Sequence, residues 1–339
     1  MKIAYLLASG GVSGGAKVVF QQAEGLARRG HRVTVVSPEP CPPWASISAA
    51  SHEQASFPSS PAIASADVVV ATFWTTLDAA ARAARPAAFH LCQGLETDTA
   101  FYAAQRDAIE EAYRRVPRKL VVAPHLVRFL AERGFTDVAD VGQTFDREAF
   151  RVPARVWREP PRILLPGIFE IDAKGVPEAL EALRRLRAGG ARFRVLRLST
   201  EPAGAAERRA AVVDEYHRGV SPERVPALLA RADLFVGPNH AVEGFGLPTL
   251  EALAAGLPAA LSDTPSHREI AGDSALYFAP GDSDDIAASV ARLLGEPETR
   301  RRLTAEGPER AARYRTSDVV DRLEAAFSAA LPEREGEPR

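Results

Sequence analysis

Hydrophobic and polar positions along this chain change period in a repeating order, from short apolar runs to stretches with apolar residues three or four apart and back again. Ile3 to Ala8 is such a run. Ala16, Phe20, Ala23 and Ala27 then recur at helical spacing as far as Arg28-Arg29-Gly30, and Val33, Val35 and Val36 mark a strand from Arg32 to Ser37. Strand, glycine-rich turn, helix and strand form a βαβ unit, whose crossover lays its strands parallel. Residues 38–66 are rich in Pro, Ser and Ala without a period and read as an irregular connection holding one short strand at most. Regularity returns with buried-strand candidates at Asp67 to Ala71, Ala87 to Leu91 and Lys119 to Ala123, separated by helical stretches from Thr75 to Arg85 and from Thr99 to Arg115.

Around Arg151 to Pro161 the chain turns to Arg, Pro and Glu, the composition of a linker. A second series with the same grammar follows. Its strand candidates are Arg162 to Leu165, Arg194 to Leu198, Asp233 to Val236 and Ala259 to Leu261; its helices run from Val176 to Ala188, Pro222 to Arg231 and Pro248 to Ala255. From Ser283 the pattern is helical with Arg- and Glu-rich faces, and Pro332 to Arg339 is a polar tail expected to fray. The predicted class is α/β, in two Rossmann-like halves.

Composition narrows the function more than the fold. A chain of 339 residues fits two domains of ordinary size. Its 42 Lys and Arg nearly cancel 44 Asp and Glu, so no global field points to nucleic acid. Two cysteines, Cys41 and Cys92, suit neither a disulfide framework nor a zinc cluster, which points to a reducing, cytoplasmic setting. No apolar segment approaches bilayer length, which leaves only a peripheral membrane contact open.

The strongest local signal is Glu243-Gly244-Phe245-Gly246-Leu247-Pro248-Thr249-Leu250-Glu251, just after a strand. Glycines before a helix that carries Pro in its first turn let backbone amides face a phosphate. Glu251 stands one turn in, where a carboxylate bridges ribose hydroxyls in dinucleotide folds. A plain helix cap with a glutamate suited to the helix dipole is the other reading of the same residues.

Two glutamates flanking seven residues within Glu-Gly-Phe-Gly-Leu-Pro, followed by Glu251-Ala252-Leu253-Ala254-Ala255-Gly256-Leu257-Pro258, resemble the donor-site signature of glycosyltransferase family 4. The likeness runs from Pro238 through Glu269 into Tyr277-Phe278-Ala279-Pro280-Gly281-Asp282, and Gly142 to Phe150 resembles the family's end of the N-terminal domain. The resemblance implies the GT-B fold, two Rossmann-like domains facing across a cleft. These would be an acceptor domain at 1–155, a donor domain at 156–315, and a C-terminal helix within 316–339 packing back on the first. It further implies a retaining transfer of a hexosyl or deoxyhexosyl group from a nucleotide diphosphate sugar, with no cofactor and no obligatory metal. The acceptor would be a sugar, a lipid-linked or a small-molecule hydroxyl. In this picture Glu251 holds the ribose, while Glu243 and the amides of Gly244, Phe245 and Gly246, with Leu247, address the sugar and diphosphate. Base recognition is expected near Val220, Ser221 and Pro222.

Gly167 to Gly175 is similar to the family loop that carries an Arg and a Lys for the diphosphate. Lys174 is kept before Gly175, whereas Ile168 stands at the usual Arg position. A lysine here would balance charge on the departing diphosphate; a solvated loop lysine is the plainer reading. Arg197 or a residue of the first domain would have to supply the missing cation.

The loop Ser9-Gly10-Gly11-Val12-Ser13-Gly14-Gly15 admits three readings. It lacks the order and acidic partner of a dinucleotide fingerprint. Gly11-Val12-Ser13-Gly14-Gly15 fits a hydrolase nucleophile elbow, but after the first strand, with no sheet upstream to supply an oxyanion loop. In the transferase reading Gly14, Gly15 and Lys17 meet the donor diphosphate or acceptor. His90, Gln93 and Glu96 follow a strand at its carboxyl end, where α/β sheets bind ligands, with His90 a catalytic candidate and Gln93 and Glu96 on the acceptor side. A loop capping its neighbouring helix is the alternative. Asp282-Ser283-Asp284 reads as a helix N-cap, not a metal site. A non-catalytic nucleotide-sugar-binding protein and a GT-B-like epimerase are the competing functional classes, the first favoured by Ile168.

Overall fold

Two parallel sheets organise the protein. The computed structural model describes residues 1–83, 87–152, 155–240 and 244–332. The chain divides into a unit made of Met1–Thr97, Tyr102–Phe145 and the segment from Arg315, and a second made of Asp98–Phe101 and Asp146–Tyr314.

The first unit's described strands are β1 (Lys2–Leu6), β2 (Arg32–Ser37), β3 (Ser51–Gln54), β4 (Val68–Ala71), β5 (Ala87–Cys92), β6 (Lys119–Val121) and β7 (Val138–Asp140). They lie in the order β3-β2-β1-β4-β5-β6-β7, all parallel. The helices α1 (Gly14–Arg28), α2 (Pro61–Ala64), α3 (Leu77–Arg82), α4 (Arg106–Arg115) and α5 (Pro124–Glu132) connect them. Every residue of β4 is buried, as a central strand with both faces covered requires.

The second unit holds β8 (Arg162–Pro166), β9 (Arg194–Ser199), β10 (Glu215–Arg218), β11 (Leu234–Gly237), β12 (Ala259–Ser262) and β13 (Leu276–Phe278), in the order β10-β9-β8-β11-β12-β13. Its helices are α6 (Val176–Ala188), α7 (Ala205–Arg209), α8 (Val225–Arg231), α9 (Leu247–Ala254), α10 (Pro265–Ala271), α11 (Ser283–Gly295) and α12 (Pro297–Ala311). Ile163, Leu165, Val195 and Val236 on the sheet pack with Leu180, Leu183, Val290 and Leu293 on the helices. The predicted α/β class with two Rossmann-like halves is the architecture observed.

The last helix, α13 (Thr316–Ala330), belongs to the first unit and lies on α1. Gly25 makes that approach possible: a Cβ there would stand 2.6 Å from Val320 Cγ2. Arg29 pairs with Asp321 at 2.6 Å and His31 with Glu324 at 2.8 Å along the same seam.

The segment read as irregular, residues 38–66, is held in place by polar anchors that carry no hydrophobic period. Besides β3 and α2, it has a turn fixed by one carboxylate. Glu24 of α1 accepts the Ser48 hydroxyl and the amides of Ser48, Ala49 and Ala50. Burial raises the Glu24 pKa, but these hydrogen bonds outweigh it and bring it from 4.5 down to about 2. A carboxyl depressed in the folded state stabilises above its unfolded pKa and loses that contribution as pH falls. The gap of wild type over Glu24→Gln should therefore amount to about 3 kcal/mol near pH 6 and shrink between about pH 4.5 and pH 2. Urea unfolding at successive pH values measures it; a gap independent of pH would refute the anchor.

Candidate functional site

In an open parallel sheet, loops leaving neighbouring strands diverge where the strand order reverses, and the crevice there takes ligands. In the second unit that point lies between β8 and β11. The loop Gly167 to Gly175 leaves β8, and Pro238 onward leaves β11. The structure brings these two segments together: the His240 amide donates to the Ala173 carbonyl at 2.8 Å. Gly175, at φ 58°, lies so close to Pro238 that a Cβ would fall 2.1 Å from its carbonyl oxygen. A glycine is thus required there by both conformation and space. Lys174 ends the short 3-10 turn Asp172–Lys174 before it, half-buried at the mouth of the loop.

On the facing side Gly246, at φ 95°, caps α9, and Pro248 follows in the first turn. Among the described residues no acceptor meets the amides of Gly244, Phe245, Gly246 or Leu247. Phe245 is buried edge-on against Tyr314, with ring centroids 5.5 Å apart. Glu251 sits one turn into α9 and is 8 % exposed. Glu243 lies outside the described residues. Val220 is half-buried after Gly219 at the carboxyl end of β10, so it shares the loop-bearing edge of the sheet with Lys174 and α9.

The missing loop cation is not replaced by Arg197. Its side chain is fully buried, with its nitrogens spent on Glu207 at 2.7 Å, the Leu165 carbonyl at 2.6 Å and the Gly167 carbonyl at 2.8 Å. It holds the start of the Gly167 loop from beneath. Ile168 is half-buried.

In the first unit the order reverses between β1 and β4, and the glycine-rich loop leaves β1 there. Ser13 caps α1, its side chain accepting the Ala16 amide at 3.2 Å, which gives it a structural task in place of the nucleophile reading. Glu39 accepts the Gly10 amide at 2.8 Å, and Trp44 donates to the Gly10 carbonyl at 3.1 Å, so the segment after β2 straps the loop down. Gly14 is exposed, and Gly15 and Lys17 are half-buried beside it in the first turn of α1. Gln93 joins them: its side-chain amide donates to the Gly15 carbonyl at 3.3 Å. Glu96, partly exposed, accepts the Tyr113 hydroxyl, and burial raises its pKa.

His90 differs from expectation. It is 1 % exposed, edge-on to Tyr113 at 4.6 Å, and its Nδ1 lies 3.3 Å from Lys119 Nζ. Lys119 spends its other protons on the Tyr113 and Val116 carbonyls, at 2.6 and 2.7 Å. Burial and then the Lys119 charge hold the His90 pKa well below 6.5, while burial takes Lys119 down to about 8. A ring enclosed in this way supports β5 and has almost no exposed surface to offer a substrate, which counts against the catalytic role expected of His90. Lys119, Glu39 and Trp44 escaped the sequence reading, since a buried lysine or a loop tryptophan has no periodic signature.

Asp282 caps α11 by accepting the amides of Asp284 and Asp285. Among the described residues no cluster of three His, Cys, Asp or Glu side chains is placed to hold a metal ion. Cys41 is exposed and Cys92 buried, both free thiols. No described helix is long and apolar enough to cross a membrane.

Two Rossmann-like units, each with loops leaving its parallel sheet where the strand order reverses, have the architecture of the GT-B fold. Residues 147–310 match the family model of Glycosyl transferases group 1. The chain is 35 % identical over 158 residues to the MMP alpha-(1->4)-mannosyltransferase of Mycolicibacterium hassiacum, covering 44 % of this chain and 38 % of that one. It is 31 % identical over 208 residues to the glycogen synthase of Mycobacterium tuberculosis, covering 56 % and 46 %. It thus spans less than half the length of these relatives. Among solved structures, sucrose-phosphate synthase from Thermosynechococcus elongatus superposes with a TM-score of 0.77 at 16 % identity over 96 % of this chain and 98 % of that one. Anabaena HepE, solved in complex with UDP and glucose, gives 0.77 at 15 % identity over 97 % and 100 %. At these identities the likeness is one of fold.

Proposed function

We propose that this protein is a retaining glycosyltransferase of family 4, moving a hexosyl or deoxyhexosyl group from a nucleotide diphosphate sugar to an acceptor hydroxyl. The observation that carries the reading is the meeting of the Lys174 loop with the segment leading into α9, through Gly175 against Pro238 and His240 against Ala173. Lys174, the amides of Gly244 to Leu247, which meet no acceptor among the described residues, and the buried Glu251 all belong to segments at the carboxyl ends of strands of this one sheet. A diphosphate needs the first two and a ribose the third. The names of the relatives, and the UDP-glucose bound to HepE, support a hexosyl donor.

In this mechanism the amides of Gly244, Phe245, Gly246 and Leu247 and the Lys174 ammonium take up negative charge as the glycosidic bond to the diphosphate breaks. They are fixed before the reaction and cost no reorganisation during it. The leaving phosphate oxygen takes the acceptor proton on the face from which the acceptor arrives, so configuration is kept and no metal is needed. Glu243 addresses the transferred sugar and Val220 the base. Gly14, Gly15, Lys17, Gln93 and Glu96 line the acceptor side in the first unit, for a sugar, lipid-linked or small-molecule hydroxyl, and the reaction is placed in the cytoplasm.

A panel of UDP-, GDP-, ADP- and dTDP-sugars tests the reading. One should raise the melting temperature of the wild type and release its nucleotide with acceptor present, equally in EDTA. Glu251→Ala should then raise the donor KM roughly 10- to 100-fold, the worth of a charged hydrogen bond to the ribose, with the protein folded. No shift with any donor, or an unchanged KM in the variant, would overturn the assignment.

A further inference from the structure

The donor walls described above are tied to each other from behind by one buried imidazole. His267, in α10, is completely buried, and its ring is bracketed by three elements. Its Nδ1 lies 3.0 Å from the carbonyl oxygen and 3.0 Å from the hydroxyl of Ser262, the last residue of β12. Its Nε2 lies 3.2 Å from the hydroxyl of Thr249, the third residue of α9. The Ser262 hydroxyl in turn donates to the carbonyl of Asn239, in the segment leaving β11.

The direction of these bonds follows from valence. A carbonyl oxygen only accepts, so Nδ1 carries the proton it gives to Ser262. In the neutral ring Nε2 then accepts, which makes the Thr249 hydroxyl the donor. Thr249, His267 and Ser262 form a one-way chain ending on the Asn239 carbonyl.

The ring packs beside two glycines at ordinary contact distance: a Cβ at Gly237 would stand 3.4 Å from His267 Cε1, and one at Gly246 3.9 Å from Cδ2. The first turn of α9 is held internally only where the amides of Thr249 and Leu250 donate to the Gly246 carbonyl, and an eight-residue helix is marginal without tertiary support. His267 grips α9 in that turn and reaches, through Ser262, the residue next to His240, whose amide holds Ala173.

We infer that His267 is a positioning residue for the nucleotide diphosphate. It sets the spacing between the amide row at the front of α9 and the Lys174 loop without touching the ligand. This rests on the donor-site reading proposed above.

The test measures binding of UDP, GDP, ADP and dTDP to the full chain by calorimetry, then donor kinetics, for wild type, His267→Ala, Thr249→Val, their double variant and His267→Asn. With the nucleotide that wild type binds, His267→Ala should weaken Kd and raise donor KM about 10-fold or more, with a smaller change in kcat. Thr249→Val, which deletes only a hydroxyl, should reproduce part of the loss. The double variant should lose no more than His267→Ala, because both break one chain. His267→Asn, whose amide can still donate to Ser262, should recover part of the affinity. Full affinity in folded His267→Ala, unchanged affinity in Thr249→Val, or strictly additive losses would overturn the inference while leaving the donor site standing. Failure of wild type to bind any of the four nucleotides would remove the donor site itself, and the positioning role with it.

Discussion

Replacing Lys174 by alanine is expected to lower kcat by about 100- to 1,000-fold with only a few-fold rise in donor KM, the loss typical of one preorganised donor to a developing oxyanion. The asymmetry follows from where charge appears. In the proposed site a nucleotide diphosphate already carries negative charge when it binds, and the α9 amides would share that load. The additional charge arises as the sugar leaves, and no arginine stands at Ile168 to share it. Arg197 cannot step in, since its guanidinium is buried and held by Glu207 and two carbonyls. Initial-rate kinetics at saturating donor separate the two parameters. A Lys174→Ala enzyme with wild-type turnover would show that the amides alone carry the leaving group.

What the sequence discloses and what it hides divide along physical lines. Central strands such as β1, β4, β8 and β11 are apolar apart from Lys2 and Arg162 at the start of β1 and β8, because helices cover both faces, and each was legible as an apolar run. α6 was legible to its boundaries, since Ala179, Leu180, Ala182 and Leu183 all face the sheet. Edge strands have no such signature. In β10, Glu215-Tyr216-His217-Arg218, not one residue is fully buried, and β7 is only half-buried throughout. α5 escaped for a related reason, being nine residues that follow β6 directly with Pro124 in its first turn.

The site was legible where backbone conformation demands particular residues. Gly175 and Gly246 both have positive φ, and the first has no space for a Cβ. The sequence therefore records these turns directly. Buried polar contacts leave no comparable trace. His90 and Gln93 look alike as polar residues at the carboxyl end of an apolar run, yet His90 lies within β5, enclosed by Lys119 and Tyr113, while Gln93 just beyond it touches the Gly15 loop. Spacing cannot tell which of two neighbours a lysine twenty-nine residues away will cover.

Removal of Glu207 is expected to cost the second unit a large part of its stability. Arg197 and Glu207 are 0 % and 2 % exposed and lie 2.7 Å apart. Glu207→Ala leaves a guanidinium buried without its counter-charge, a loss of about 3–5 kcal/mol. For a domain of this size that lowers Tm by roughly 10 °C or more. The paired replacement Arg197→Met with Glu207→Leu removes both charges at similar volume and should restore most of the Tm. It should not restore donor binding, because the carbonyl of Gly167 then loses the donor that fixes the loop carrying Lys174. Calorimetric melting and donor KM, measured on the same preparations, separate the two roles. An unaltered Tm in Glu207→Ala would deny the pair its structural weight, and a double variant with normal donor KM would show that the loop keeps its shape without Arg197.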